Sequence, residues 1–362
     1  MVRIHEYMGK QLLKEVGAST PRGEVASTAE EARKIAEQIG KPVAVKAQIW
    51  TTGRFKAGGI KFASNSDEAE AAASGLLGSN IKGLKVEKVL IEERLDIDKE
   101  FYVGVITDGS YKVKGPVMMF STEGGVDIEQ VAEKHPEKVA KKVVDYLEGV
   151  KKSDAKKLVS KLDVPEILVD PIADAVSSLY QLFKQYDARA AEINPLVSTK
   201  DGEIYAADCR VSIDDSSVFR HPEFEVEVPR DMERPPTELE KMAWKIEEDD
   251  YRGTAYFTQI VTEVGEEGYV AFHGIGGGGA MLAADALMQR GLKIANYADT
   301  SGDPTASKVY RIIKAALSQP GVEAYVMMGS AFASQEQWHH AHAIVKAFKE
   351  EAAQRPGFPV LI

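Results

Sequence analysis

Residues 190–211 read AAEINPLVSTKDGEIYAADCRV. Two runs rich in Ile, Val and Ala flank the turn Lys200-Asp201-Gly202, the pattern of a β-hairpin. The hairpin carries Glu192, Asn194 and Asp208. Mg2+ takes hard oxygen ligands, usually one or two from protein and the rest from phosphate and water. A carboxamide and a carboxylate on facing strands, Asn194 and Asp208, suit that need. Polar decoration of a hairpin accounts for either residue alone equally well.

Upstream, STAEEARKIAEQIG from Ser27 offers two capping boxes, Ser27 with Glu30 and Thr28 with Glu31, ahead of the apolar stripe Ala32, Ile35, Ala36 and Ile39. Gly40 is a stop signal. Pro42–Ala47 then reads as a buried strand carrying Lys46. TTGRFKAGG follows, with Gly53, Arg54, Lys56, Gly58 and Gly59. A strand lysine before a glycine-rich basic loop suits a polyphosphate, because glycine lets backbone N–H groups approach oxygens and the cations balance charge. A glycine hairpin with surface lysines is the plain alternative, and the spacing is not that of a P-loop. A second capped helix starts near Ser66, and the strand 86–91 ends in Glu92 and Glu93. Residues 20–95 therefore read as a small α/β lobe. Glu92 and Glu100 flank a hinge, where carboxylates can accept from a ribose or an adenine amine; a solvated acidic turn is the rival reading. Helical segments are expected over roughly 135–190.

Residues 221–238, HPEFEVEVPRDMERPPTE, are rich in Pro and charge and read as a linker. Beyond it, strand–glycine turn–helix units recur: YVAFHG into GGGG, then KIANYAD, EAYVMMG and FPVLI. Alternating strands and helices indicate a parallel sheet. Gly277, Gly278, Gly279 and Ala280 open the first helix, whose N-terminus favours an anion; a close strand–helix turn is the alternative. His339, His340 and His342 read as a polar helix surface or subunit contact rather than a metal site, and His273 as a packed strand-end residue.

Composition bounds the function. A net charge of −11 argues against a nucleic-acid binder. One cysteine, Cys209, excludes an internal disulfide framework. The opening MVRIHEYMGKQLL lacks the apolar core of a signal peptide, and no run approaches the ~18 apolar residues of a membrane span, so a cytoplasmic location is expected.

In this order the clusters resemble the β subunit of succinyl-CoA synthetase and the matching part of ATP-citrate lyase and citryl-CoA synthetase. HEYMGKQLLKEVG, VKAQ, GRFKAGGIK, STEGGVDIE, EINPLV with TKDG, and FRHP carry the likeness, as do the spacings of Glu100 eight positions after Glu92 and Asp208 fourteen after Asn194. The resemblance implies an α/β chain: an ATP-grasp fold over residues 1–228, a linker at 229–240 and a flavodoxin-like CoA-ligase domain over 241–362, which ends where an arginine-bearing strand end is expected. It implies that Lys46 and the Gly53–Lys56 loop hold phosphates of ATP, that Glu92 and Glu100 meet adenine or ribose, and that Asn194 and Asp208 bind Mg2+. Glu192 would meet the phosphohistidine loop of an α-type, CoA-binding partner subunit, making a hetero-oligomer. The implied reaction activates an acid as its acyl-phosphate for CoA thioester formation. KIANYADTSGDP and GGGGA lean toward citrate, with Gly277–Ala280 and Ser330 at the acid; succinate is the alternative, favoured by STEGGVDIEQVAEKHPE. A silent nucleotide-sensing subunit and a stand-alone carboxylate–amine ligase are the other readings.

Overall fold

The computed structural model describes the chain except for residues 1, 52, 111, 227–233, 235, 263–267, 330–335, 359 and 362. The chain divides into two compact units, Met1–Arg234 and Pro235–Ile362.

The first unit holds two main sheets. The smaller is antiparallel, in the order Gly23–Ala26, Val89–Glu93, Val43–Ala47, Ile60–Ala63. Helices Ala29–Ile39 and Ser66–Leu76 cover one face. Thr28 accepts from the Glu31 N–H and completes a capping box, and Gly40 ends that helix in a left-handed conformation. Of the two candidate boxes, the one starting at Thr28 forms. Strand residues alternate faces. Val43, Val45, Val89 and Ile91 pack under the helices with Ile35, Ala36, Ala69 and Leu76. Lys46 and Glu92 therefore emerge on the opposite face.

The larger sheet runs Val2–Arg3, Arg210–Ile213, Ala188–Thr199, Ile97–Asp108, Gly115–Ser121, Val139–Val143, with Ile204–Ala206 paired to Ala188–Thr199. Helices Glu6–Glu15, Lys152–Val159 and Glu166–Gln185 bury Leu12, Leu13, Leu158, Ile172 and Leu179 with Phe101, Val103, Ile193 and Val211. Alternation then places Tyr102, Gly104, Glu192 and Asn194 on the face away from this core. Two expectations are corrected. Val139–Val143 is an edge strand inside a stretch expected to be helical, paired with Gly115–Ser121. The division between the units at Arg234–Pro235 falls inside the stretch 221–238, but that stretch is not all connector: Phe224 is buried in the first core, and helix Glu238–Asp249 begins behind a Thr237 cap. Within 229–240, residues 229–233 and 235 lie outside the described residues.

The second unit is a five-stranded sheet ordered Tyr256–Gln259, Ile294–Asp299, Tyr269–Ile275, Val322–Gly329, Val360–Leu361. All neighbours are parallel except the antiparallel edge strand Tyr256–Gln259, which the sequence pattern does not reveal. The four parallel strands follow the order 2-1-3-4 of flavodoxin-like folds, whose ligands bind at the carboxyl ends of strands beside the switch point. Helices Glu238–Asp249, Ala306–Ser318 and Gln337–Gln354 share one core with this sheet. Helix Gly278–Gln289 packs into another, with Phe272, Tyr297 and Val326.

Leu13 is fully buried and seats the helix that carries Glu6 and Lys10. Leu13→Ala should lower stability by about 2–5 kcal/mol, read as a shift in urea midpoint.

Candidate functional site

On the side of the small sheet away from its own helices, Lys46 meets the first helix. Its ammonium lies 3.0 Å from Glu6 Oε1 and 2.8 Å from Glu92 Oε2, and it donates to the Ala207 carbonyl at 2.7 Å. Lys10, one turn after Glu6, donates to both Glu92 oxygens at 2.6 Å and to Ala207 O at 2.8 Å, and lies 2.9 Å from Glu6. Arg54 reaches in from the glycine loop, with Nη2 2.7 Å from Glu6 Oε2 and 2.8 Å from Asp208 Oδ2. Three cations thus balance three carboxylates. The Glu6 side chain is 2% exposed. Burial opposes its charge, but Arg54, Lys10 and Lys46 hold its pKa well below the usual carboxylate range. Burial likewise opposes the charges on Lys46 and Arg54. Glu6 with Glu92 raises the first pKa, and Asp208 with Glu6 the second.

Asp208 lies in the short stretch 207–209 between two strands that both pair with Ala188–Thr199. Glu192 pairs with Arg210 and Leu196 with Ala206, so counting inward from both pairs brings Asn194 level with Asp208. The Asp208 side chain is 32% exposed, and burial, only partly offset by Arg54, raises its pKa. A partly exposed carboxylate that shares its cation, Arg54, with Glu6, level with a carboxamide, fits a hard divalent cation. Asn194 already orders the STEGGVDIE loop: Oδ1 accepts from Gly125 N at 2.8 Å, and Nδ2 donates to Val126 O at 3.0 Å. Glu192, two residues earlier on the same face, accepts from the Tyr102 hydroxyl at 3.2 Å, with Arg210 at 3.5 Å. Burial raises its pKa despite Arg210. Gly104 makes this possible: a Cβ there would sit 2.2 Å from the Tyr102 hydroxyl.

The structure therefore gathers Lys46, Arg54, Glu92 and Asp208, brings Asn194 level with Asp208 only by strand register, and separates the rest. Glu92 is not a free acceptor for a sugar, because Lys10 and Lys46 occupy both its oxygens. Glu100 is exposed on the larger sheet, against Gly125, where a Cβ would lie 2.3 Å from its carboxylate. Gly53 and Lys56 are exposed. The glycine loop is no open cradle: Ala57, Gly58 and Gly59 direct their N–H groups to Gly53, Phe55 and Arg54 carbonyls. It presents the Arg54 guanidinium instead. Glu6 and Lys10 were missed as site residues. Their signal was the i, i+4 carboxylate–ammonium spacing in HEYMGK.

In the second unit, Gly277–Ala280 form the first turn of their helix as expected, yet the turn is largely closed. Gly277 N donates to Asp299 Oδ2 at 3.0 Å, and Gly279 and Ala280 donate to Gly276 and Gly277 carbonyls. Burial raises the Asp299 pKa. Ala280 is fully buried against Gly274, so its side chain does not line a site. Ser330 lies outside the described residues. His273 is fully buried, bonded to the Tyr325 hydroxyl at 2.5 Å and the Thr300 hydroxyl at 2.6 Å. Of the three helix histidines, His340 turns inward, 3.4 Å from Thr300 Oγ1, while His339 and His342 contact Trp338. Among the described residues no group of three His, Cys, Asp or Glu side chains is placed to hold a metal, and no helix is long and apolar enough to cross a membrane.

Comparison with known proteins matches residues 3–198 to the ATP-grasp domain and residues 238–356 to the ATP citrate lyase citrate-binding domain. The chain is 40% identical over 326 residues to the GDP-forming succinate–CoA ligase β subunit of Thermus thermophilus, covering 89% of this chain and 80% of that protein. It is 38% identical over 321 residues to the ADP-forming β subunit of Methanothermobacter thermautotrophicus, with coverage of 89% and 80%. Among solved structures, the ATP citrate lyase of Methanothrix soehngenii, in complex with citrate and coenzyme A, superposes with a TM-score of 0.73. That match covers 99% of this chain and 88% of the other at 21% identity, a likeness of fold.

The buried His273 supplies a pH test. Burial, with His340 adding, lowers its pKa from 6.5 to about 3. The unfolded chain takes up this proton below about 6.5 and the folded chain does not, so stability is present above that pH and is lost progressively as the pH falls toward 3. Hydrogen exchange of strand Tyr269–Ile275 should accelerate between pH 7 and pH 5, relative to the intrinsic rate, by a larger factor in the wild type than in His273→Asn. Equal factors would remove His273 as the source.

Proposed function

The chain belongs to the family of succinate–CoA ligase β subunits, ATP-grasp ligases that use ATP or GTP with Mg2+, and on that premise we propose that it is the nucleotide-binding subunit of an acid–CoA ligase acting through a partner's phosphohistidine. The observation that carries this reading is the gathering of Lys10, Lys46 and Arg54 around one carboxylate beside the Asn194–Asp208 pair.

A carboxylate is a poor electrophile until one oxygen becomes a leaving group, and phosphorylation provides that. A nucleoside triphosphate first phosphorylates a histidine of an α-type subunit. The phosphoryl group then passes to the acid, and CoA thiolate displaces phosphate from the acyl-phosphate. Such transfers rest on positioning and charge neutralisation more than on covalent chemistry by the protein. Lys46, from strand Val43–Ala47, and Arg54, on the loop from Gly53 to Lys56, hold the phosphates. Asn194 and Asp208 hold Mg2+, which when bound neutralises phosphate charge. Glu92 anchors the two lysines, leaving the exposed Glu100 to meet the sugar or base. Glu192, with Tyr102 and Arg210 setting its carboxylate, faces the partner's histidine loop. Exposed Met281, Leu282 and Met288 on helix Gly278–Gln289 support the need for a partner, because such a face is apolar where a monomer's would be polar.

For the acid, the relatives at 37–40% identity favour succinate, with the helix opened by Gly277–Ala280 and the segment at Ser330 as its site. Citrate is the second reading, favoured by the citrate-binding match over residues 238–356.

The test co-expresses the chain with its α-type partner and measures CoA thioester formation with Mg-ATP or Mg-GTP and each acid. Thioester with succinate and little with citrate is expected. The reverse result selects citrate, and no thioester with any acid despite a phosphorylated partner sinks the ligase reading. Asp208→Ala should abolish Mg2+-dependent partner phosphorylation, a loss of at least ~100-fold, with an unchanged circular dichroism spectrum. Undiminished phosphorylation rejects its metal role.

A further inference from the structure

In the motif HEYMGK, Glu6 is the carboxylate on which three separate elements converge, and the reaction proposed above gives it no role of its own. Oε1 serves Lys10 at 2.9 Å and Lys46 at 3.0 Å, and Oε2 serves Arg54 at 2.7 Å and Gln48 Nε2 at 3.5 Å. Those cations come from the first helix, the strand Val43–Ala47 and the glycine loop. Lys and Arg donors that converge on one carboxylate are the donors that also bind phosphate oxygens.

We infer that Glu6 is a positioning residue of the nucleotide site: it holds Lys46 and Arg54 together beside the place where the polyphosphate's oxygens are received, and competes with those oxygens for both cations. The inference rests on the nucleotide-binding role proposed above. Its physical content is a competition. Lys10, Lys46 and Arg54 are balanced by Glu6, Glu92 and Asp208. Removing the Glu6 charge leaves one positive charge in excess, which an incoming polyanion can take up. The same removal frees Lys46 and Arg54 from their shared anchor, so they no longer wait in the geometry that transfer needs. Affinity and rate should therefore move in opposite directions. A residue that merely supports the fold would weaken both.

The experiment uses the full chain with its partner subunit. Binding of Mg-ATP and of inorganic tripolyphosphate is measured by calorimetry, and partner-histidine phosphorylation by rapid quench. Glu6→Gln keeps the side chain's size and removes its charge. It should tighten both ligands at least fivefold and slow phosphorylation at least tenfold. Glu6→Asp, charged but shorter, should fall between the wild type and Glu6→Gln on both measures. It carries the test with the same signs if Glu6→Gln does not fold. Unchanged or weaker binding in the variants, or an unchanged rate, overturns the inference. If the wild type binds neither ligand, the nucleotide-binding role falls and the inference with it. If the wild type binds and the variants match it, only the inference falls.

Discussion

Lys10, Lys46 and Arg54 lie almost wholly out of water and within one hydrogen-bond shell of a single carboxylate, Glu6. Cations so close and so poorly solvated repel one another strongly; without a counter-ion the lysines would be driven to give up their protons, and the guanidinium, which cannot, would have to leave. The helix Glu6–Glu15 is therefore more than a cover for the larger sheet. Through Glu6 and Lys10 it ties that sheet's core to the small sheet's Lys46 and Glu92 and to the loop bearing Arg54. Removing one member of such a buried set typically costs about 3–5 kcal/mol, because the partners stay behind uncompensated. Replacing the whole set by apolar side chains often costs nothing. A self-balanced charge cluster is thus weak as a stability device. Its presence here is better explained by a ligand that carries the same charge as the carboxylates.

Which residues meet is decided by the two-residue period of the strands. Val43 and Val45 must enter the core under the helices, and that choice alone sends Lys46 outward. The same rule applied to Val89 and Ile91 sends Glu92 to the same side. On the larger sheet, burial of Ala191 and Ile193 turns Glu192 and Asn194 to one face. Much of this was legible, since the apolar runs, the Lys200-Asp201-Gly202 turn and the Thr28–Glu31 cap are local signals. What was not legible is what an outward residue finds there. Glu92 reads as an open acceptor in a strand-end pair of glutamates, and only the arrival of Lys10 from 82 positions away makes it an anchor. The glycine loop misleads in the same manner. Its composition promises free N–H groups, but a tight turn consumes them, a matter of dihedral angles that composition does not encode.

The second unit shows the converse. Its parallel strands and glycine turn were plain from periodicity, while the edge strand Tyr256–Gln259 was not, being four residues between charged and turn-forming segments. His340 was read with His339 and His342 as one polar surface. A helix turns 100° per residue, so the middle histidine of such a trio faces away from the others, here toward Thr300 and the buried His273.

Charge also bears on which acid such a unit can take. The first turn of helix Gly278–Gln289 offers an anion little, because the N–H groups of Gly277, Gly279 and Ala280 are already bonded and Asp299 brings a carboxyl group to the same end. Each carboxylate of a substrate brought there needs cationic or N–H partners, and buried charge left unpaired is severely penalised. The demand grows with every added carboxylate, so a dicarboxylate places a smaller burden on this helix end than a tricarboxylate does. Asp299 sharpens the difference. It occupies the Gly277 N–H now, and a substrate carboxylate must either displace it or meet it protonated, a state that its burial favours. One carboxylate can be accommodated by a single such exchange at this turn. Each further one would need a cation that Gly277, Gly278, Gly279 and Ala280, having no charged side chains, do not supply, a need that is one greater for a tricarboxylate than for a dicarboxylate.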